Sequence, residues 1–167
     1  AVVHPGRFEP KPWKNVRITS PNSAATTLLP SLLAAVERAT KSIVVSAFGF
    51  EIDHPLCQAI LKKAKDGLEV IVFSPPRKPN LEGFCKEIVL ARGRVISQNL
   101  LHAKFLVADD HNSYIFTANF AKLGLDSGME VGIRLSKEQT LELNALITRW
   151  KKDFQFRLRL DAPIRDL

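Results

Sequence analysis

Hydrophobic and polar positions follow two different periods along the first hundred residues of the chain. Leu29, Leu32, Leu33 and Val36 recur at the three- and four-residue spacing of an amphipathic helix. Residues 43–48 instead form a short apolar run rich in β-branched side chains, which is typical of a buried strand. The two patterns predict, in chain order, a short strand at 16–19, the helix from Leu29, a strand at 43–48, a helix capped by Asp53 and ended by Gly67, a strand at 68–73, a helix between Asn80 and Gly93, and a strand at 95–96. Such alternation predicts an α/β layered domain with parallel strands at its centre.

The second half of the chain contains shorter β-like runs separated by polar turns. Residues 104–108 and 114–117 flank the polar residues 109–112, which predicts a hairpin, and residues 131–135 form a third run. Ser136 and Gln139 have the spacing of a capping box that opens a last helix. The apolar stripe of that helix consists of Leu143, Leu146, Ile147, Trp150 and Phe154. Together the two halves predict a mixed sheet between layers of helices.

One segment of the second half carries the side chains of a phosphate-transfer site. Residues 102–109 read His-Ala-Lys-Phe-Leu-Val-Ala-Asp, and strand residues two apart share a face, so we expect His102 and Lys104 to project together. An imidazole beside an ammonium suits a phosphate, because the lysine neutralises phosphoryl oxygens while the histidine attacks or transfers a proton. Thr117 and Asn119 add a hydroxyl and an amide at the same spacing. Glu130 is expected to accept a proton from the second ring nitrogen and so to fix the tautomer.

These residues resemble the signature of a known family. The sequence His-x-Lys-x4-Asp from residue 102, followed after six residues by Phe-Thr-Ala-Asn, resembles the HKD motif of the phospholipase D superfamily. The stretch at 117–133 is similar to the corresponding part of its small bacterial members, which include single-motif nucleases and the HKD domains attached to restriction enzymes and helicases. The resemblance covers about residues 17–157. It implies a phospholipase D-like α/β/α layered domain with a mixed sheet and one HKD half-site per chain.

The resemblance also implies a mechanism and a homodimer. The family's active site takes two HKD motifs and this chain has one, so the two motifs of a homodimer are expected to meet across a two-fold axis. His102 of one subunit would attack phosphorus, giving a phosphohistidine, and His102 of the partner subunit would protonate the leaving oxygen. The roles implied for the other motif residues are phosphoryl-oxygen ligands for Lys104, Thr117 and Asn119, imidazole orientation for Glu130, and a structural role near the turn for Asp109. No metal or other cofactor is required, because the lysines supply the charge that a cation would bring.

The chain departs from the family pattern beside this motif. The family usually has Gly-Ser where this chain has Phe116 and Thr117. Threonine keeps the hydroxyl, but Phe116 is bulkier and predicts a different floor to the pocket. Two alternatives to an active nuclease therefore stay open. One is a nucleic-acid-binding HKD domain of a larger protein with weak or no activity, and the other is a phosphodiesterase for a lipid or a small molecule.

The charge of the chain indicates a polyanionic partner. Its 167 residues include 24 Lys and Arg against 17 Asp and Glu, which gives a formal net charge of +7. Basic residues are concentrated at 77–94 and 149–165, and such clusters beside a phosphate site suit a polynucleotide backbone. We therefore expect an endonuclease that prefers DNA to RNA. The candidate nucleic-acid-binding residues are Arg77, Lys78, Arg94, Lys122, Arg149, Lys151 and Lys152.

The remaining features concern compartment and domain limits. Cys57 and Cys85 form no Cys-x-x-Cys pair and are expected to be buried free thiols in a reducing compartment. A zinc site formed by these cysteines and His54 is rejected, because no fourth ligand stands at a suitable spacing. No apolar run approaches the roughly 18–20 residues of a membrane span, so we expect no integral membrane association. The reducing compartment expected for the thiols would be the cytoplasm. The predicted limits are an extension at 1–16, a catalytic domain at 17–160 and a tail at 161–167. Because the chain starts at Ala1 and its one methionine is Met129, we expect an excised domain or a processed product, and fusion to other domains stays open.

Overall fold

A mixed β-sheet organises the part of the chain that the structure describes. The computed structural model describes residues 13–153 and the backbone of residues 156 and 157. Its strands are β1 Val16–Thr19, β2 Ser42–Ser46, β3 Glu69–Ser74, β4 Arg94–Ser97, β5 Phe105–Ala108, β6 Asn112–Phe116, β7 Glu130–Arg134 and β8 Phe156–Arg157. Among these residues the strand order is β1-β7-β6-β5-β2-β3-β4-β8. Strands β2, β3 and β4 run parallel to one another and the other neighbours are antiparallel, which confirms the predicted mixed sheet.

The helices follow the predicted order with two corrections and one addition, a short helix at residues 122–125 that the sequence does not predict. They are α1 Leu28–Arg38, α2 Pro55–Lys65, α3 Lys78–Glu82, α4 Phe84–Leu90, α5 Lys122–Leu125 and α6 Lys137–Asp153. The prediction of a single helix between Asn80 and Gly93 is wrong, because the helix is interrupted at Gly83. A Cβ atom at this position would lie 2.8 Å from the carbonyl oxygen of Pro79. The predicted cap of α2 at Asp53 is also wrong. His54 caps the helix instead, and its Nδ1 accepts a hydrogen bond from Leu56 N at 3.1 Å.

The parallel strands determine where a site can form. The carboxyl ends of β2, β3 and β4 lie at one edge of the sheet, where residues 47–50 leave β2 and residues 75–77 leave β3. Strand β5 is antiparallel to β2 and begins at this same edge, since Phe105 pairs with Ser46. In open α/β sheets the crevice outside the carboxyl ends of parallel strands is the usual place for ligands. We call this edge the carboxyl edge.

Helices cover both faces of the sheet. The larger buried cluster lies under α1, α2 and α4, and its fully buried residues include Leu32, Ile60 and Ile88. On the other face, Ile147 of α6 is buried, and Trp150 of the same helix packs beside it against a second cluster. The capping box of α6 is confirmed, because Ser136 N donates to Gln139 Oε1 at 2.9 Å and Gln139 N donates to Ser136 Oγ at 3.2 Å.

The apolar stripe predicted for α6 is only partly buried. Leu143, Ile147 and Trp150 pack against the sheet, whereas Leu146 is 40% exposed and does not belong to the core. Phe154 lies outside the described residues. The helix therefore contacts the sheet along a narrower stripe than the sequence predicts.

The cysteines are buried free thiols, as predicted. Burial raises the pKa of Cys57 well above its usual value and raises the pKa of Cys85 to about 12. His54 is buried beside α2, where its Nε2 lies 2.9 Å from Asp126 Oδ1. No helix within the described residues is long and apolar enough to cross a bilayer.

The predicted domain limits stay predictions. Val16, the last residue of the predicted extension, lies in β1 and pairs with Ile133 of β7. The predicted tail at 161–167 lies outside the described residues.

Candidate active site

His102 and Lys104 lie together at the carboxyl edge. Lys104 Nζ is 3.3 Å from Nδ1 of His102 and 3.2 Å from its carbonyl oxygen. Both residues precede β5, which begins one residue later than predicted, at Phe105. The backbone is already paired there, since Phe116 N donates to Lys104 O at 3.2 Å. The expected common face is therefore confirmed, while Ala103 packs with Phe105 on the α6 side.

The ammonium of Lys104 is subject to two opposing effects. Partial burial lowers its pKa, and the negative charge of Glu130 raises it. Burial has the larger effect, so the pKa of Lys104 lies below that of an ordinary lysine. An ammonium can only donate hydrogen bonds, so its contact makes Nδ1 of His102 the acceptor. In this arrangement the proton of a neutral imidazole resides on Nε2.

Thr117 and Glu130 are joined by a hydrogen bond between their side chains. The hydroxyl of Thr117 donates to Oε2 of Glu130 and accepts a hydrogen bond from Val131 N at 3.0 Å. The carboxylate at the start of β7 is thus held beside the segment that carries Thr117. Nδ1 of His102 has its contact with Lys104 rather than with this carboxylate, so the orienting role expected for Glu130 stays a prediction.

Asn119 joins this segment to the end of β2. Its Oδ1 accepts hydrogen bonds from Phe48 N at 3.2 Å and from Gly49 N at 3.1 Å. One half of the amide therefore fixes the backbone that follows β2. The Nδ2 group is the half that can donate to a phosphoryl oxygen.

Phe48 and Arg77 belong to the site, and the sequence identified Phe48 only as the end of a strand. The ring centroids of Phe48 and His102 are 5.2 Å apart. The guanidinium carbon of Arg77 lies 4.3 Å from the centroid of the Phe48 ring, and Arg77 Nη1 donates to Phe48 O at 3.2 Å. The signal available in the sequence was an aromatic residue directly after a buried parallel strand, at the edge where ligands bind.

Asp109 lies at the opposite edge of the sheet from His102. The seven positions from one to the other in the sequence correspond to about 20 Å of extended chain. Its carboxylate accepts hydrogen bonds from the backbone N–H groups of Thr40, Lys41 and Ser42, which lead into β2. Although partial burial acts to raise the pKa of Asp109, these hydrogen bonds and the charge of His111 lower it on balance. The carboxylate of Asp109 thus joins the end of β5 to the segment that leads into β2, at a distance from His102.

Phe116 does not form the floor of the site, and that expectation is wrong. The residue is 8% exposed and packs in the larger core cluster, with its ring centroid 5.8 Å from that of Phe120. Its neighbour across the sheet is Gly132. The missing side chain at Gly132 leaves the space that the larger residue needs.

The predicted nucleic-acid-binding residues are separated by the fold. Arg77 lies at the carboxyl edge beside Phe48, whereas Arg94 opens β4 at the other edge and pairs with Glu69 at 3.1 Å. Lys78 pairs with Glu82 within α3 at 3.9 Å. Lys122 is exposed at the start of α5.

The three basic candidates of α6 lie on its last turns. Arg149 pairs with Asp153 at 3.4 Å, and Lys151 and Lys152 follow Trp150. The Trp150 ring lies 6.0 Å from that of Phe73 and 6.3 Å from that of Phe105, so this end of α6 packs near the carboxyl edge. These lysines are therefore on the same side of the molecule as His102.

Within the described residues, no group of three or more His, Cys, Asp and Glu side chains is arranged to hold a metal ion. The cationic groups at the carboxyl edge are instead Lys104 and Arg77. Two positive side chains beside a histidine suit an anionic substrate such as a phosphate ester.

Comparison with protein families identifies the fold. A family model described as cardiolipin synthase, PLD-like domain, matches residues 32–155, which is most of the chain. The chain belongs to the phospholipase D superfamily. This membership confirms the family indicated by the HKD motif and the enzyme class of PLD-like phosphodiesterases. A comparison with curated protein sequences finds no significant match.

Several solved structures share the architecture of this chain at low sequence identity. Nuc from Salmonella typhimurium, a phospholipase D family member, is 17% identical with a TM-score of 0.65, over 86% of this chain and 96% of that one. NucT from Helicobacter pylori is 16% identical with a TM-score of 0.62, over 75% and 88% of the two chains. Phosphatidylserine synthase from Haemophilus influenzae Rd KW20 is 15% identical with a TM-score of 0.69, over 86% of this chain and 39% of that one. At these identities the likeness establishes the fold alone.

Proposed function

We propose that this chain is a metal-independent endonuclease that cleaves DNA through a phosphohistidine formed on His102. The observation that carries the proposal is the pair formed by His102 and Lys104, whose side-chain nitrogens lie 3.3 Å apart at the carboxyl edge. The imidazole supplies a nucleophile and the ammonium supplies positive charge for the phosphoryl oxygens.

The proposed reaction has two displacements. Nε2 of His102 attacks phosphorus, a P–N bond forms and the P–O bond to the leaving group breaks, while His102 of the partner subunit gives its proton to the leaving oxygen. The neutral imidazole of the partner then takes a proton from water, whose oxygen attacks phosphorus and breaks the P–N bond. The products are a phosphomonoester and an alcohol, with both histidines returned to their starting states.

Substrate binding is proposed to prepare the nucleophile. In the free chain the ammonium of Lys104 faces Nδ1, an arrangement in which Nε2 holds the ring proton and cannot attack. A bound phosphate draws the ammonium towards its oxygens and frees Nδ1 to be protonated. Glu130 then accepts the Nδ1 proton in a hydrogen bond, so that Nε2 presents its lone pair. The Nδ2 group of Asn119 adds a donor to the phosphoryl oxygens, and Thr117 adds a second when its one hydroxyl proton turns from Oε2 of Glu130 to the phosphate.

A homodimer is proposed because one chain supplies one HKD motif. The reaction above needs a nucleophile and a separate acid, and a two-fold axis places identical residues opposite each other. Mixing wild-type protein with an excess of His102→Ala protein tests this arrangement. A heterodimer would lack either the nucleophile or the acid. The activity of the mixture, relative to wild-type protein alone, should therefore be lower than the fraction of chains that are wild type. Activity that falls only in proportion to dilution would favour independent monomers.

DNA is proposed as the substrate because of the charge around the site. Arg77 lies at the carboxyl edge, and the basic end of α6, with Lys151 and Lys152, packs near it. The net charge of +7 per chain favours a polyanion, and binding should weaken as salt rises. The small single-motif members that the sequence resembles include nucleases, which supports the same choice. The two free buried thiols are compatible with a reducing compartment, and we place the protein in the cytoplasm.

A substrate panel separates this proposal from its alternatives. The protein is incubated in excess EDTA with single- and double-stranded DNA, RNA, and vesicles of phosphatidylglycerol or phosphatidylcholine. Cleavage of DNA that disappears in Lys104→Ala supports the nuclease. Release of a lipid headgroup without DNA cleavage would instead favour a lipid phosphodiesterase, the alternative suggested by the description of the matched family model. Salt-sensitive DNA binding without turnover would favour an inactive binding domain.

A further inference from the structure

The Phe48 ring is the contact that brings a second cation to the catalytic histidine. It touches the His102 ring at a centroid distance of 5.2 Å, and the Arg77 guanidinium carbon lies 4.3 Å from its centroid. The guanidinium carbon and the centre of the imidazole are therefore at most 9.5 Å apart. A cation held over an aromatic ring gains electrostatic attraction from the ring, which keeps it in place without neutralising it.

Arg77 retains its charge for a ligand. It is exposed, and within the described residues no carboxylate lies at ion-pair distance from it. Its neighbour Lys78, by contrast, pairs with Glu82. The hydrogen bond from Nη1 of Arg77 to Phe48 O uses only one of the donors of the guanidinium fork. The other donors can bind phosphate oxygens, for which the planar fork is well suited.

Lys104 and Arg77 relate differently to the imidazole, which suits them to different phosphates. Lys104 contacts the imidazole directly, so its ammonium belongs to the phosphate that His102 attacks. Arg77 reaches the imidazole only through the Phe48 ring. Consecutive phosphates of one strand are displaced by about 3.4 Å along the helix axis and lie further apart in space. A cation within 9.5 Å of the imidazole centre can therefore reach the next phosphate of a bound strand.

We propose that Phe48 is a positioning residue that holds Arg77 beside the active site, and that Arg77 binds the phosphate next to the scissile one in a polynucleotide strand. This inference rests on the proposed action of the site on DNA. It makes the pair a determinant of substrate class, because a substrate with a single phosphodiester has no second phosphate for Arg77. Polynucleotides would be favoured over isolated diesters.

The test compares two substrates in excess EDTA: the dinucleotide TpT, which has one phosphate, and a longer oligothymidylate, which has neighbouring ones. Arg77→Ala should raise KM for the oligothymidylate about tenfold and should change KM for TpT much less, because TpT has no neighbouring phosphate. It should also reduce the dependence of oligothymidylate binding on salt by about one phosphate contact. Lys65→Ala removes a positive charge at the amino end of the parallel strands and is the matched control, with no expected change.

Phe48→Leu tests the positioning role. It should raise KM for the oligothymidylate as Arg77→Ala does, and the double variant should add nothing further to KM, because both changes remove one interaction. Equal increases in KM for both substrates, or additive increases in the double variant, would overturn the inference.

Fluorescence anisotropy measures the binding of labelled oligothymidylate and labelled TpT, and it compares wild type with Arg77→Ala on both substrates without requiring cleavage. A selective loss of oligothymidylate affinity in Arg77→Ala supports the inference even if the protein turns over neither substrate, an outcome that would refute the proposed nuclease alone. Failure of the wild type to bind the oligothymidylate would overturn both.

Discussion

Gly132 of β7 lies opposite Phe116 of β6, and a Cβ atom at Gly132 would be 2.8 Å from the Cβ atom of Phe116. The same Cβ atom would be 2.9 Å from Cδ1 of Leu28 in α1. The two positions thus pack in a complementary way, because the large side chain of Phe116 occupies the space that a side chain at position 132 would need. Phe116 is accommodated in the core, and its presence beside the HKD motif is no reason to expect an altered pocket.

Substitution of Gly132 should therefore destabilise the fold. Gly132→Ala is expected to lower the free energy of unfolding by about 1–3 kcal/mol, because backbone atoms and core side chains must shift to admit the methyl group. Urea denaturation measures the change. Val131→Ala, at an exposed neighbour on the same strand, is the control and should change stability by about 0.5 kcal/mol or less. Equal stability of Gly132→Ala and wild type would show that the strands can separate without cost.

The sequence predicted most of the strands and the longer helices because each has a clear hydrophobic period, but it did not predict the short elements α5 and β8. It predicted His102, Lys104, Thr117 and Asn119 because the motif is local in the chain. It did not predict the contact of Phe48 with His102, which joins the end of β2 to the start of β5 across 54 positions of sequence. Contacts of this kind depend on strand order and register, which a single sequence does not show.

Two further expectations were wrong for the same reason. The expectation that Phe116 alters the pocket floor fails because the direction of its side chain depends on its partner Gly132 in another strand. The prediction of a single helix between Asn80 and Gly93 fails because the break depends on the close approach of Gly83 to Pro79 O. This is a backbone contact, and the pattern of hydrophobic residues does not reveal it. The position of Arg94 at the far edge follows from the parallel pairing of β3 with β4.

Asp109 is expected to act on stability rather than on the reaction. Asp109→Asn should lower the free energy of unfolding by about 1–2 kcal/mol, since it weakens hydrogen bonds to the N–H groups of Thr40, Lys41 and Ser42. Because the folded pKa of Asp109 is lowered, its contribution is present above the ordinary aspartate pKa of about 3.9 and is lost as pH falls towards the folded value. The difference between variant and wild type should therefore shrink in acid.

Asp110→Asn makes the same chemical change at an exposed neighbour that also has a positive φ, and is the control. Both variants should keep wild-type DNA cleavage when folded. A selective loss of kcat in folded Asp109→Asn would contradict the structural role.

Glu130 should control the alkaline limb of the pH profile of DNA binding. Phosphate binding needs Lys104 protonated, and burial has lowered the pKa of Lys104, so binding should weaken at a pH below the ordinary lysine pKa of about 10.4. The carboxylate of Glu130 raises the pKa of Lys104. Glu130→Gln should therefore move this alkaline limb to lower pH, and it should separately lower kcat. Anisotropy titrations of labelled DNA at constant ionic strength, made in the His102→Ala background to prevent cleavage, measure the shift.

Glu142→Gln removes an exposed carboxylate from α6 and should leave the profile unchanged. An alkaline limb that stays in place or moves upward in Glu130→Gln would show that this carboxylate does not act on Lys104.

His102 is proposed to be the nucleophile of a phosphodiesterase that needs no metal. The most direct measurement is cleavage of end-labelled DNA in excess EDTA by wild-type protein and by His102→Ala, with the folding of both checked by circular dichroism. We predict full cleavage by the wild type, a loss of at least a thousandfold in the variant, and a ³²P-labelled, acid-labile phosphoprotein when wild-type reactions on internally labelled DNA are quenched. Cleavage that stops on addition of EDTA, or that persists in folded His102→Ala, would contradict the account.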